Sequence, residues 1–143
     1  MRATGAFVYW KDMWPLDQPM QIPRGTSIVI VEDDASLLSA LVFALEADGF
    51  LVHAFGRAGP LLFSPVHADC MVIDMRLPDV DGLTLIKRLR ELGVQAPAIL
   101  TTTSPTARTR RLAADMGVDI VEKPLITGEL RVRIDELVAA NLP

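Results

Sequence analysis

Short apolar runs that each end on a polar side chain constrain the fold of this chain more than any other feature of its sequence. Ile28-Val29-Ile30-Val31 stops at Glu32-Asp33-Asp34, and Cys70-Met71-Val72-Ile73 stops at Asp74. The run from Ala98 closes on Thr101-Thr102-Thr103, and the one from Asp119 closes on Glu122-Lys123-Pro124. Runs of this length without internal polar residues read as strands buried on both faces, here Ile28–Val31, Asp69–Ile73, Ala98–Thr101 and Asp119–Val121, with Phe50–Phe55 as a further short strand. Between them the period changes to that of a helix. Leu37, Leu38, Leu41, Val42 and Leu45 share one face of a segment from Ala35 to Asp48 that Gly49 closes. Helices are also predicted over Leu83–Leu92, Thr106–Met116 and Glu129–Ala140, with a further one that contains Pro60. Strict alternation calls for an α/β fold. Parallel strands need crossover connections, and those crossovers cover both faces of the sheet.

A chain of 143 residues builds one hydrophobic core more readily than two, so a single folded domain is expected over 26–143. Residues 1–25 contain Pro15, Pro19 and Pro23 without a sustained period and read as an irregular arm. Within it, Tyr9, Trp10 and Trp14 are either anchors onto the domain or a contact patch for a partner. Half the residues are apolar and 22% are charged, which excludes disorder of the whole chain. The net charge of -4 argues against direct contact with nucleic acid, which favours clustered basic faces. A lone cysteine, Cys70, forms no internal disulfide and reads as a buried small hydrophobe, in keeping with a reducing cytoplasm. The beginning lacks the layout of a secretion signal. No apolar stretch approaches the roughly 18 residues that a membrane span needs, so a soluble protein is expected.

In doubly wound sheets the working crevice lies beyond the carboxyl ends of the strands. Glu32, Asp33, Asp74, Thr102 and Lys123 all fall there. Several carboxylates in one crevice repel one another unless a cation lies between them, and oxygen ligands favour a hard cation such as magnesium. Asp33 and Asp74 can supply such ligands. An Asp74 carboxylate oxygen can then act as nucleophile toward phosphorus, Lys123 can offset the charge on the phosphoryl oxygens, and Thr102 can donate a hydrogen bond to them. Each piece alone has a plainer reading. Glu32-Asp33-Asp34 suits a helix N-terminus, Asp74 suits a turn, and Lys123-Pro124 is a common turn start.

Taken together and in order, the acid pair, Asp74 followed by Pro78 and Asp81-Gly82, Thr102, and Lys123-Pro124 resemble the receiver domain of two-component response regulators, over about Ser27 to Leu142. The resemblance implies a flavodoxin-like sheet of strand order 2-1-3-4-5, with Asp74 as phospho-acceptor, Thr102 as switch hydroxyl and Lys123 as the site lysine. It implies Mg2+ held by Asp33, Asp74, the backbone carbonyl of Arg76 and, through water, Glu32. A cis peptide before Pro124 follows from it too. The implied partners are a sensor histidine kinase or phosphotransfer protein on the input side and a downstream protein on the face from about Thr106 to Ala140, decorated by Arg108, Arg110, Arg111, Arg131 and Arg133. A homodimer is compatible with it; direct binding of nucleic acid or membrane is not expected.

Ile120 stands where the family often has a switching aromatic, and the stretch from Gly117 to Lys123 is one residue shorter than usual. Coupling through the backbone of Thr102 to Pro105 is the alternative to an aromatic switch. Arg76 and Ser104 lie where they can tune dephosphorylation. No independent turnover enzyme is expected, because a dehalogenase-like phosphatase requires a second Asp where Arg76 stands. A receiver-like binding module that works without phosphorylation is the competing function. His53 and His67 fall outside the crevice.

Overall fold

A computed structural model describes residues 25–125 and 128–142. The arm over 1–24 lies outside the described residues. Among the described residues five strands alternate with five helices: β1 (Ser27–Val31), α1 (Ala35–Ala47), β2 (Leu51–Phe55), α2 (Ala58–Phe63), β3 (Cys70–Asp74), α3 (Gly82–Glu91), β4 (Ala98–Thr102), α4 (Ala107–Asp115), β5 (Asp119–Glu122) and α5 (Glu129–Ala140). All strand pairs are parallel, in the order β2-β1-β3-β4-β5. This is the expected doubly wound order, with the switch point between β1 and β3.

Every residue of β1, β3 and β4 is buried, which explains why these strands read as unbroken apolar runs. Successive side chains enter different cores. Val29, Val31, Met71, Ile73 and Leu100 pack with α2, α3 and α4 through Leu61, Leu85, Ile86, Leu89 and Ala113. Ile28, Ile30, Cys70, Val72, Ile99 and Val121 pack on the other face with Leu45 of α1 and Leu130, Ile134 and Val138 of α5. Burial raises the Cys70 thiol pKa to about 12, so it stays protonated and inert.

Three helices begin on side-chain caps. Asp34 accepts the N–H groups of Ser36 and Leu37 at 3.0 and 3.1 Å, Asp81 that of Thr84 at 2.8 Å, and Thr106 Oγ1 that of Thr109 at 3.0 Å. α3 stops at Gly93, whose φ of +94° lies where glycine carries no Cβ penalty. Pro60 sits in the first turn of α2, where its missing N–H would have had no helical partner. The N–H groups of Ala58 and Gly59 are instead held by the carboxylate of Asp79, at 3.0 and 2.7 Å, from the loop after β3. That clamp holds the Asp79 pKa below its usual value, chiefly through the bond from Ala58.

Strands β3, β4 and β5 each extend one residue beyond their apolar runs, to Asp74, Thr102 and Glu122. The ladder does not depend on side-chain polarity, and Asp74 pairs with Thr101 as Thr102 pairs with Glu122. Asp74 and Thr102 therefore stand on the ends of strands, while Glu32, Asp33, Arg76 and Lys123 lie in the first residues of the loops beyond them.

Candidate functional site

The ends of β1, β3, β4 and β5 frame a cleft of about 620 Å³ lined by Glu32, Asp33, Asp34, Asp74, Arg76, Thr102, Thr103, Ser104 and Lys123. All six residues singled out from the sequence (Glu32, Asp33, Asp74, Arg76, Thr102 and Lys123) line it. His53 and His67 do not; His67 instead lies 3.4 Å from Asp69.

Asp74 is 5% exposed and Glu32 is 3% exposed, whereas Asp33 faces solvent. Burying two carboxylates together is unfavourable without counter-charge, and Lys123 supplies it. Its Nζ donates to Glu32 Oε1 at 2.9 Å and lies 3.3 Å from Asp74 Oδ2. Burial pulls the lysine pKa down, but the bond it donates to Glu32 and the nearby Asp74 charge outweigh it and leave the pKa above its ordinary value. The other oxygen of Glu32, Oε2, accepts the N–H of Asp34 at 3.0 Å. Both Glu32 oxygens are thus already engaged, which suits a group that reaches a cation through water. Asp74 Oδ1 accepts only a long bond, 3.4 Å, from the Arg76 N–H.

The backbone around the acceptor candidate is fixed by close contacts. Met75 N–H bonds to Thr101 O at 2.9 Å, Gly82 N–H to Met75 O at 2.8 Å, and Lys123 N–H to Thr102 O at 2.8 Å. A Cβ on Gly82 would lie 2.4 Å from Asp74 O and 2.8 Å from Leu100 Cδ1. Only glycine lets α3 begin so near the end of β3. The Lys123–Pro124 peptide is cis, and Ser104 has a φ of +48° in the left-handed region. The buried Thr102 hydroxyl donates at most a weak bond, 3.5 Å to Thr103 O, and is available to a ligand in the cleft.

Glu32, Asp33 and Asp74 can present one carboxylate oxygen each within 4.8 Å of one another. Three carboxylates against one ammonium leave a local excess of negative charge, and an all-oxygen donor set fits a hard divalent cation such as Mg2+. Among the described residues this is the one cluster of that kind.

Sequence reasoning missed two supports. The contact of Asp79 with Ala58 and Gly59 joins a loop to the first turn of a helix 20 residues and more away, and no local pattern announces it. The bond from Lys123 to Glu32 spans 91 residues. Of the arginines assigned to the α4–β5–α5 face, Arg110 pairs with Glu122 and Arg133 with Asp119 there. Arg131 turns away from them. It pairs with Asp48 beyond α1 and stacks on the Phe50 ring, 4.9 Å from its centroid. Ile120, half-buried, packs against the core shared by α3 and α4.

The family model described as "Response regulator receiver domain" matches residues 28–135. The transcriptional regulatory protein PmrA of Pectobacterium parmentieri is 32% identical over 117 residues, which cover 80% of this chain and 53% of that protein. The chain spans about half the length of the curated relatives it matches first, 50 to 53%. Among solved structures, the non-phosphorylated receiver domain of HemR from Leptospira biflexa is 27% identical with a TM-score of 0.73, covering 82% of this chain and 97% of that one. A receiver domain of the Francisella response regulator 1452 reaches a TM-score of 0.75 at 22% identity over 82% of this chain and 100% of that one, a likeness of fold alone. With its strand order, its acidic cleft and these matches taken together, the chain belongs to the response-regulator receiver domains of two-component signal transduction.

Proposed function

We propose that this receiver accepts a phosphoryl group on Asp74 from a phosphohistidine, supplied by a sensor histidine kinase or phosphotransfer protein, in a Mg2+-dependent reaction. The observation that carries this reading is the position of Asp74: buried, beside Lys123 Nζ at 3.3 Å, and within carboxylate reach of Glu32 and Asp33. An Asp74 carboxylate oxygen attacks phosphorus, the P–N bond to the imidazole breaks, and the ring nitrogen leaves with the bonding electron pair. Lys123 neutralises charge on the phosphoryl oxygens, and the Thr102 hydroxyl donates to one of them. Asp33, Asp74, the Arg76 carbonyl and, through water, Glu32 are the groups to hold Mg2+, which when bound offsets phosphoryl charge as a Lewis acid. Hydrolysis returns the carboxylate, with Arg76 and Ser104 beside the water's path, so the chain turns over only its own phosphoryl group and is not an independent enzyme.

Phosphorylation then biases a two-state element toward the form that binds a partner. The face of α4, β5 and α5 suits that role. It carries a cleft of about 430 Å³ between Arg110, Asp119, Ile120 and Arg133, open to a downstream protein or a second copy. Aliphatic Ile120 favours coupling through the Thr102–Pro105 backbone over an aromatic switch. A cytoplasmic setting is part of this reading, and among the described residues no helix is long and apolar enough to cross a membrane. No DNA contact is assigned to this chain, although its relatives include proteins named as transcriptional regulators.

Intact-mass spectrometry after incubation with acetyl phosphate and Mg2+ tests the proposal. One phosphoryl adduct is expected, dependent on the metal and absent from Asp74→Asn. Equal labelling of Asp74→Asn would overturn the acceptor assignment. No adduct under varied donors and metals would favour a module that signals by protein contacts alone.

A further inference from the structure

The loop between β3 and α3 is held at its base and again near its tip. At the base, Met75 N–H bonds to Thr101 O at 2.9 Å, and Gly82 N–H returns to Met75 O at 2.8 Å, which closes the loop over 75–82. Near the tip stands Asp79, whose carboxylate joins two segments. Its Oδ1 accepts the N–H of Val80 at 3.2 Å within the loop and that of Ala58 at 3.0 Å in α2, and its Oδ2 accepts the N–H of Gly59 at 2.7 Å. Asp79 is exposed, so these bonds rather than burial fix where it lies.

Part of this contact is a helix cap. Arg57 makes no side-chain cap bond to α2, and Asp79 satisfies the helix's first N–H groups from a distance. The fit is close, because a Cβ on Gly59 would lie 3.3 Å from Asp79 Oδ2. α2 is in turn a firm anchor: Ala58 and Leu61 are buried in the core with Ile73 and Leu85, and Met75, Leu77 and Val80 of the loop pack against the same core.

Arg76 lies between the closed base and this tether. It lines the cleft, its N–H is directed back to Asp74 Oδ1 at 3.4 Å, and among the described residues none donates a hydrogen bond to its carbonyl. A carbonyl that replaces a water on Mg2+ must stand about 2.1 Å from the ion in near-octahedral geometry. A loop free at its tip would have to be ordered by the ion itself, at a cost in backbone entropy that a tether removes in advance.

We propose that Asp79 is a positioning residue for the cation: by tying the loop to α2 it holds the Arg76 carbonyl in place for Mg2+, so that metal in the cleft and the first turn of α2 are coupled. The inference rests on the reading above that this carbonyl joins Asp33 and Asp74 around the ion. Such coupling is reciprocal. A clamp that strengthens metal binding is itself strengthened by the metal.

The test is a Mg2+ titration of the full-length chain, wild type against Asp79→Ala and Gly59→Ala, followed by the NMR shifts of the Asp74 and Arg76 amides and by hydrogen exchange at Ala58 and Gly59. Asp79→Ala should need about tenfold more Mg2+ for half-saturation, the scale on which groups behind metal ligands act. Gly59→Ala keeps the Asp79 charge and presses only on its carboxylate, so the midpoint should move the same way by a smaller factor. In wild type, saturating Mg2+ should slow exchange at Ala58 and Gly59 severalfold. Equal midpoints in wild type and Asp79→Ala would overturn the proposal. So would a weaker midpoint in Asp79→Ala with no effect of Mg2+ on exchange at Ala58 and Gly59 in wild type, because loss of one nearby negative charge would then account for it. Wild type that binds no Mg2+ at all would overturn the metal set, and this inference with it.

Discussion

The charged groups of the cleft and those of the α4–β5–α5 face use the same side-chain chemistry under opposite solvation. In the cleft one lysine serves two carboxylates that are almost fully buried, and its own side chain is only 21% exposed. On the face, Arg110 meets Glu122 with both side chains more than half exposed, and Arg133 divides itself between Asp119 and Glu129. Water screens the second set far more than the first. Charge in the cleft is therefore weighted more heavily in the fold than charge on the face, where each exposed ion pair contributes little.

The sharpest way to break the comparison is steric. Gly82→Ala places a carbon 2.4 Å from Asp74 O, a backbone atom that cannot swing aside. Overpacking of this kind costs about 3 kcal/mol and should displace Asp74 relative to Lys123. Denaturant unfolding should show the loss, and phosphoryl labelling should fall with it. A Gly82→Ala protein of unchanged stability would mean that α3 starts less rigidly than the contact implies.

Lys123→Ala comes next. It leaves Glu32 and Asp74 buried without their shared cation. Removing one partner of a fully buried pair costs about 3–5 kcal/mol. The partly exposed lysine reduces this to about 2 kcal/mol. Added Mg2+ should recover part of that loss, and no recovery would count against the metal set. The pH dependence has a definite sign. The lysine pKa is raised in the folded state above the ordinary 10.5, so its contribution is complete below that value and disappears as pH rises through the folded pKa. Wild type should lose stability along that alkaline limb, and Lys123→Met should show a flatter one.

Asp79 tests how far the cleft's rigidity extends. Asp79→Asn weakens the acceptor for the Ala58 and Gly59 N–H groups and should speed their exchange severalfold while Ile73 is unaffected. The Asp79 pKa is lowered in the fold, so this support is present above the unfolded pKa and lost as pH falls through the folded one. Unchanged exchange at both amides would show that α2 is held by Leu61 and its apolar neighbours alone.

Element order was legible in the sequence because strand and helix periods alternate without overlap. The meeting of Glu32, Asp33, Asp74, Thr102 and Lys123 was legible for a related reason. Parallel strands bring all their carboxyl ends to one side of the sheet, so a polar residue closing each apolar run must arrive there. Three things stayed hidden. Strand ends fell one residue late, since pairing of Asp74 with Thr101 is a backbone matter that side-chain polarity does not mark. The Asp79 clamp joins the loop after β3 to the first turn of α2, a contact between distant segments that no helical or strand period marks. The direction of Arg131 toward Asp48 and Phe50 depends on how α5 lies against α1, which no single helical period specifies.

The smallest effect is expected where the comparison predicts weakness. Arg110→Ala and Glu122→Ala should each change stability by less than about 0.5 kcal/mol, and their double-mutant cycle should give a coupling of about 0.2–1 kcal/mol that added salt diminishes. Arg110 borders the cleft on the α4–β5–α5 face and lies apart from the acidic cluster, so Arg110→Ala should leave labelling of Asp74 by acetyl phosphate unchanged. A coupling well above 1 kcal/mol, insensitive to salt, would mean that this pair is shielded as the cleft is. The face would then be a fixed part of the fold, no longer a surface whose charges can be handed to a partner.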